Sequence, residues 1–221
     1  MYSINNLYYS DTKKRYFDRS YNKSGLFDWE KRVIEKYYTH CKKILVVGAG
    51  GGREVLALRE LGYDADGFEC NPELVKCAND ILESEGFPSD VKLVGRDGCP
   101  DAPKNYDGAI VGWSAYMLIQ HSEERIVFLK KMRALMYDSS PILVSFFYRC
   151  GSERYFKAVA VISNVIRTIL MRKRVEAGDD LVPNHVHYFT KNELELELNE
   201  GGFNMDFYST VTYGHAVGLP A

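Results

Sequence analysis

The sequence predicts an α/β domain built on a doubly wound, mostly parallel sheet. Three observations carry the prediction. From residue 43 onward, short β-rich apolar runs alternate with helical stretches. The first of these runs ends in a glycine-rich turn that opens a helix. The third observation is size and composition: 221 residues, 46% hydrophobic and 26% charged, suit one large globular domain with an appendage better than two domains. A chain of this length buries roughly 70% of its unfolded surface, so it needs neither disulfides nor a structural metal to be stable.

Taken in order, residues 1–42 form a polar appendage that holds seven of the sixteen tyrosines and a basic cluster of Lys13, Lys14, Arg15 and Arg19. Its second half carries a helix signal. Asp28 is placed to cap, and Trp29, Val33 and Tyr37 recur every four residues, so one face docks on something apolar. Ordinary packing and a lid over substrate both fit this segment.

The core spans residues 43–221. Residues 44–47 read as a buried strand, residues 53–61 as a helix stopped by Gly62, and residues 65–69 as a second strand. Asn71 followed by Pro72 starts a helix, because Asn accepts from free amides and Pro at the first helical position loses no hydrogen bond. Leu74, Val75, Ala78, Ile81 and Leu82 form its apolar stripe. Residues 91–94, 108–111 and 142–147 supply three further strands, with a helix over 123–136 between the last two. A helical insertion follows the fifth strand, at about residues 149–186. There Phe156, Val159, Ile162, Ile166 and Ile169 keep helical spacing and run into Arg172, Lys173 and Arg174, cations that suit a helix C-terminus. A cap over the site, an interface and an extra helix on the sheet all remain open. Thr190 with Glu193 makes a capping box for a last helix ending near Gly201 and Gly202, and residues 203–217 read as a terminal β-hairpin.

Charge narrows the function. A net charge of −2 and a pI near 6.2 lack the basic footprint of a nucleic-acid binder, which favours small-molecule chemistry. The cysteines at 41, 70, 77, 99 and 150 form no CxxC pair and no finger-like spacing, the pattern of reduced thiols in a cytoplasmic protein. Residues 1–11 lack a charged-then-apolar leader and no run of 18 apolar residues occurs, so neither export by a signal nor membrane association is expected.

The sharpest motif is Ile44-Leu45-Val46-Val47-Gly48-Ala49-Gly50-Gly51-Gly52-Arg53-Glu54. Glycines let the backbone approach a ligand, and the helix start presents free amides to polar groups. Glu69 lies at the end of the second strand, where a carboxylate can accept the ribose hydroxyls of a nucleoside. A dinucleotide loop of the form GxGxxG would need glycine at position 53, which is Arg53 here, whereas GxGxG through Gly48, Gly50 and Gly52 is satisfied. An NAD(P)-dependent oxidoreductase therefore loses support but stays as the enzyme alternative.

Beyond Glu69, the run Cys70-Asn71-Pro72-Glu73-Leu74-Val75 continues the pattern. Gly95-Arg96-Asp97-Gly98 follows the third strand, and Tyr106-Asp107-Gly108-Ala109-Ile110-Val111 opens the fourth. With these motifs in order, the sequence resembles the class I S-adenosylmethionine-dependent methyltransferases over about residues 30–150. The resemblance implies a Rossmann-like sheet of about seven strands with the last antiparallel, and S-adenosyl-L-methionine as cofactor. It implies that Gly48, Gly50 and Gly52 pass the methionyl end, that Glu69 holds the ribose and that Cys70 lies beside sugar or adenine. Asp97 would accept the adenine amino group, Gly98 would offer a backbone contact, and Trp113 would border the sulfonium. One position departs from the family: an acidic residue usually stands two places before the first glycine, and here it is Val46. Arg53 could compensate by pairing the methionine carboxylate, or could face water.

Methyl transfer is an in-line displacement that mainly requires an acceptor atom held about 3 Å from the methyl. Trp113 and Tyr116 are placed to offer aromatic faces to a sulfonium, or to pack on the sheet. For a hydroxyl acceptor the nearest base is His121, just before a helix start, where it could equally face solvent. His185 and His187 point to one face of a strand, with Asp179 and Asp180 nearby, but no further ligand pattern supports a metal, and none is expected. His215 joins the substrate wall if the terminal hairpin folds over the ligand edge. The sequence thus leads to a methyltransferase for a small-molecule acceptor. Oxygen is preferred because His121, His185 and His187 are available, with amine or carbon acceptors open. A homodimer through the insertion, and a cofactor-binding module without turnover, are further readings.

Overall fold

In the computed structural model, which describes residues 14–96, 98–101, 105–151, 153–169, 174–180 and 185–221, strand β1 (Lys43–Val47) is buried on both faces. Leu45 and Val47 enter one apolar core and Ile44 and Val46 another, the pattern of a parallel strand covered on both sides. Strand β1 pairs in parallel with β2 (Asp64–Glu69) and with β4 (Gly108–Val111). Outside these lie β3 (Lys92–Leu93), parallel to β2, and β5 (Ile142–Tyr148), parallel to β4.

A short hairpin, β6 (Asp179–Asp180) and β7 (Val186–Phe189), docks on the last two residues of β5, with β7 parallel to it. The earlier residues of β5 pair instead with β9 (Gly214–Pro220), which is antiparallel and continues into β8 (Phe203–Ser209). The core sheet therefore runs β3-β2-β1-β4-β5-β9-β8, seven strands with one reversed, as the sequence leads one to expect.

Helices cover both faces. On one side lie α2 (Asp28–Tyr37), α3 (Arg53–Glu60) and α4 (Pro72–Ser84), entered through the short α1 (Arg19–Asn22). On the other lie α5 (Ser122–Leu135) and α7 (Lys191–Glu200). Local signals explain several boundaries. The Asn71 side chain accepts from the Glu73 and Leu74 amides with Pro72 at the first helical position, and Thr190 and Glu193 form the reciprocal capping box.

The start of α2 differs from expectation. Asp28 is its first helical residue rather than its cap, and the Glu30 carboxylate accepts the Phe27 N–H at 2.7 Å. Helix α6 (Glu153–Ile169) forms as predicted, yet Val159, Ile162 and Ile169 on its apolar stripe are exposed, while Ala160 is buried. Arg172 and Lys173 lie outside the described residues. Among the described residues, no helix is long and apolar enough to cross a membrane.

Candidate cofactor and acceptor site

The turn after β1 is tight because three of its glycines take left-handed backbone angles. The two at its end have different reasons to be glycine. A Cβ on Gly52 would lie 3.0 Å from the Ala78 methyl, so Gly52 serves the packing of α3 on α4, and it does not line the crook of the loop as Gly48, Gly50 and Gly51 do. A Cβ on Gly51 would sit 2.2 Å from the Asn22 side chain and 2.3 Å from the Tyr16 carbonyl. Gly51, with Gly48 and Gly50, faces the crook of the loop.

Glu69 turns toward the backbone of the glycine turn. Its Oε2 accepts the Gly50 N–H at 2.9 Å, and its Oε1 accepts from Cys70 and Asn71 at 2.8 and 2.9 Å. One carboxylate thus joins the end of β2 to the glycine turn and the start of α4. Cys70 is exposed beside it, its thiol pushed up to about 11 by partial burial and the Glu69 charge. Gly98 closes a turn by donating to the Gly95 carbonyl at 2.9 Å; Asp97 lies outside the described residues.

Residues 16–22 of the appendage lie over the loop. Asn22 Nδ2 donates to the Tyr16 carbonyl at 2.8 Å. The Tyr16 ring stands 6.3 Å from Trp113, which is itself 5.6 Å from Phe27 and 5.4 Å from Tyr213 between centroids. Burial raises the Tyr16 phenol far above its ordinary range. The Arg15 guanidinium sits 5.0 Å over the Tyr21 ring and 6.0 Å over Trp113. Free space in the crook is about 10 Å³, room for about one water.

Arg53 meets neither expectation. It is 2% exposed and binds both oxygens of Glu30, the Gly25 carbonyl and Glu54, with its guanidinium 4.0 Å over the Phe27 ring. It is neither solvated nor open to a ligand carboxylate. Glu54 is buried at the loop and accepts the Trp113 N–H at 3.0 Å. Glu54 lines the crook of the loop, whereas Val46 is buried in the core.

The loop after β4 carries two non-glycine residues with positive φ, Ser114 and His121, a conformation that costs on the order of 1–3 kcal/mol each and gathers at functional sites. Ser114 Oγ lies 2.9 Å from Tyr213 Oη, and its N–H donates to Ser145 Oγ at 3.2 Å. His121 sits half-buried at the cap of α5. Tyr116, between them, is fully buried, stacks on Phe189 and donates to Glu197 at 2.6 Å. The structure therefore places Tyr116 in the core beneath α7, not at the loop, because its hydroxyl has a buried carboxylate to satisfy it.

His215 is likewise a packing residue, held between Trp29 and Phe207 at 4.6 and 5.5 Å. His185 and His187 do share a face, and both turn toward Asp179: Nδ1 of His187 is 2.7 Å and Nε2 of His185 is 3.8 Å from Asp179 Oδ1. Tyr16, Tyr21, Asn22, Gly51 and Glu54 were not singled out by sequence. The cluster of tyrosines in the appendage was the visible signal for the first two; the others declare themselves only by tertiary contact.

No family model and no curated protein sequence matches the chain. Solved structures do. A S-adenosylmethionine-dependent methyltransferase from Methanosarcina mazei is similar at 20% identity and TM-score 0.67, over 89% of this chain and 100% of that one. The 1,6-didemethyltoxoflavin-N1-methyltransferase of Burkholderia thailandensis, with 1,6-didemethyltoxoflavin and S-adenosylhomocysteine bound, is similar at 15% identity and TM-score 0.65, over 99% and 87%. An amino pentose methyltransferase from Micromonospora echinaspora is similar at 12% identity and TM-score 0.63, over 97% of each chain. At these identities the likeness is one of fold.

Proposed function

We propose that this chain, which has the fold of the S-adenosylmethionine-dependent methyltransferases, binds S-adenosylmethionine at the glycine turn and methylates a small-molecule acceptor. The observation that carries the reading is the Glu69 carboxylate bridging the end of β2 to the Gly50 amide. A carboxylate has about four acceptor positions; three are met by backbone N–H groups, and Oε2 keeps capacity for a hydroxyl at the mouth of the turn.

The residues present fit this cofactor. Glu69 would take the ribose, and Gly48, Gly50 and Gly51 would lie along the methionyl portion once Tyr16 and Asn22, which rest against Gly50 and Gly51 in this structure, move aside. Glu54 would receive its ammonium in place of the missing acid at position 46, and Arg15 would pair with its carboxylate. The cofactor supplies a methyl on an electrophilic sulfonium. Around it, Tyr16, Trp113 and Tyr213 would shut out water and present ring faces that favour a cation. Ser114 and Tyr213 offer paired hydroxyls to orient an acceptor. An oxygen acceptor is the preferred class, with His121 on the same loop as its base. Two structurally similar proteins whose names state their substrates act on small molecules, which supports that substrate class.

Calorimetric titration of the purified chain with S-adenosylhomocysteine and with NAD⁺ tests the reading. Binding of the first and indifference to the second is expected. Tight NAD⁺ binding with no response to S-adenosylhomocysteine would overturn it in favour of an oxidoreductase. Transfer of a labelled methyl to an acceptor in a metabolite extract separates an enzyme from a binding module.

A further inference from the structure

We infer that the β6–β7 hairpin carries a site for a divalent transition-metal ion of the zinc class, held by Asp179, His187, His185 and Glu176. The inference does not depend on the methyltransferase reading.

Four side chains from two segments converge there. Asp179 Oδ1 is 2.7 Å from His187 Nδ1 and 3.8 Å from His185 Nε2, and Glu176 Oε2 is 3.8 Å from His187 Nδ1. Bonds of about 2.0–2.2 Å to a tetrahedral zinc put neighbouring ligand atoms roughly 3.3 Å apart, so these separations bracket what the ion needs. The ligand atoms of Glu176, Asp179 and His187 all lie within 4.8 Å of one another, and His185 stands outside that group, 3.8 Å from Asp179 Oδ1, so it would close on the ion as the fourth ligand.

A second observation points to an occupant. The side chains of His187, Asp179 and His185 are 2%, 2% and 8% exposed. The buried Nε2 of His185 has no hydrogen-bond partner, although it faces the Asp179 carboxylate. A buried polar nitrogen without a partner costs on the order of 1–3 kcal/mol. At 3.8 Å from Asp179 Oδ1, it is too far for a hydrogen bond and well placed for an ion between the two.

Surrounding groups hold the carboxylates in position. Asp179 Oδ2 accepts the Glu176 N–H at 2.8 Å, which turns Oδ1 toward the histidines, where it is hydrogen-bonded to His187 Nδ1 at 2.7 Å. Glu176 Oε1 accepts the Ser122 N–H at 2.8 Å, and its Oε2 accepts from Arg125 at 2.9 Å. Such outer contacts orient metal ligands. Charge closes as well: two carboxylates balance a dication, and Arg125 is balanced by Glu197 at 2.7 Å. Two imidazoles with carboxylates and no thiolate select a borderline ion such as Zn²⁺ over Ca²⁺ or Mg²⁺. The expectation of no metal drawn from sequence lacked Glu176, which stands in a loop with no motif around it.

The test is titration of the chelator-treated full chain with Co²⁺ and Zn²⁺ alone. One equivalent of Co²⁺ should give the intense visible bands of a tetrahedral N/O site, and Zn²⁺ should displace it. His185→Asn removes the Nε2 that has no hydrogen-bond partner, so it should fold and bind Co²⁺ about tenfold or more weakly. Asp179→Asn should abolish the bands. If that variant fails to fold, the shift in melting temperature of the unmodified chain on adding Zn²⁺ serves instead, and a rise is expected. Weak octahedral bands, binding unaltered by His185→Asn, or no thermal response to Zn²⁺ would each overturn the site and leave an ionic network.

Discussion

Arg53 and Glu30, 23 residues apart, form a two-pronged ion pair at 2.7 and 2.8 Å in the interior. It fastens helix α2 to the first turn of α3, directly behind the glycine loop. Removing Glu30 leaves Arg53 with Glu54 and the Gly25 carbonyl but strips the buried guanidinium of both charged hydrogen bonds to Glu30, which costs about 3–5 kcal/mol. Glu30→Ala should therefore lower the unfolding free energy by about that much in urea titration, whereas a loss under 1 kcal/mol would mean the pair is solvated.

Glu69→Ala removes charged hydrogen bonds at the proposed ribose position. S-adenosylhomocysteine binding should weaken by about 1.5–3 kcal/mol in calorimetry. Unchanged affinity would take Glu69 out of the site.

Gly51→Ala places a methyl 2.2 Å from the Asn22 amide and 2.3 Å from the Tyr16 carbonyl. Residues 14–22 should then lift from the loop while the sheet stays intact. Trypsin should cut the variant faster at Lys14, Arg15 and Arg19 than the parent chain. Equal rates would show that this segment does not rest on Gly51.

Burial holds the basicity of His215 below the usual value of 6.5, against a Tyr213 carbonyl that accepts from Nδ1 at 2.8 Å. The unfolded chain then binds the extra proton more readily than the folded one, so stability is full above about pH 6.5 and declines as pH falls below it. Melting temperatures at pH 7.5 and 5 measure the decline, and His215→Phe should lessen it. An unaltered slope in that variant would assign the acid sensitivity elsewhere.

What could be read from sequence was whatever depends on near neighbours. Asn71 with Pro72, and Thr190 with Glu193, set helix starts within three residues, and the structure keeps both. The alternation of buried strands gave the layers for the same reason. Site residues were harder, because a side chain's role depends on what the fold brings beside it. Gly52 and Gly51 are adjacent, yet one meets Ala78 and the other Tyr16 and Asn22. Arg53 read as a partner for a ligand carboxylate or as a solvated residue, because its actual partner, Glu30, sits on another helix. Tyr116 stands in the loop expected to face ligand, but Glu197, 81 residues on, draws its hydroxyl inward.

Strand β5 divides one flank between two partners: Ile142–Phe146 match Gly214–Gly218 of β9, and only Phe147 and Tyr148 match β7. The foundation of the sheet is thus complete before the hairpin begins. The chain leaves the sheet after Tyr148 and returns at Val186, so this hairpin pairs with the parallel framework through two residues of β5 alone.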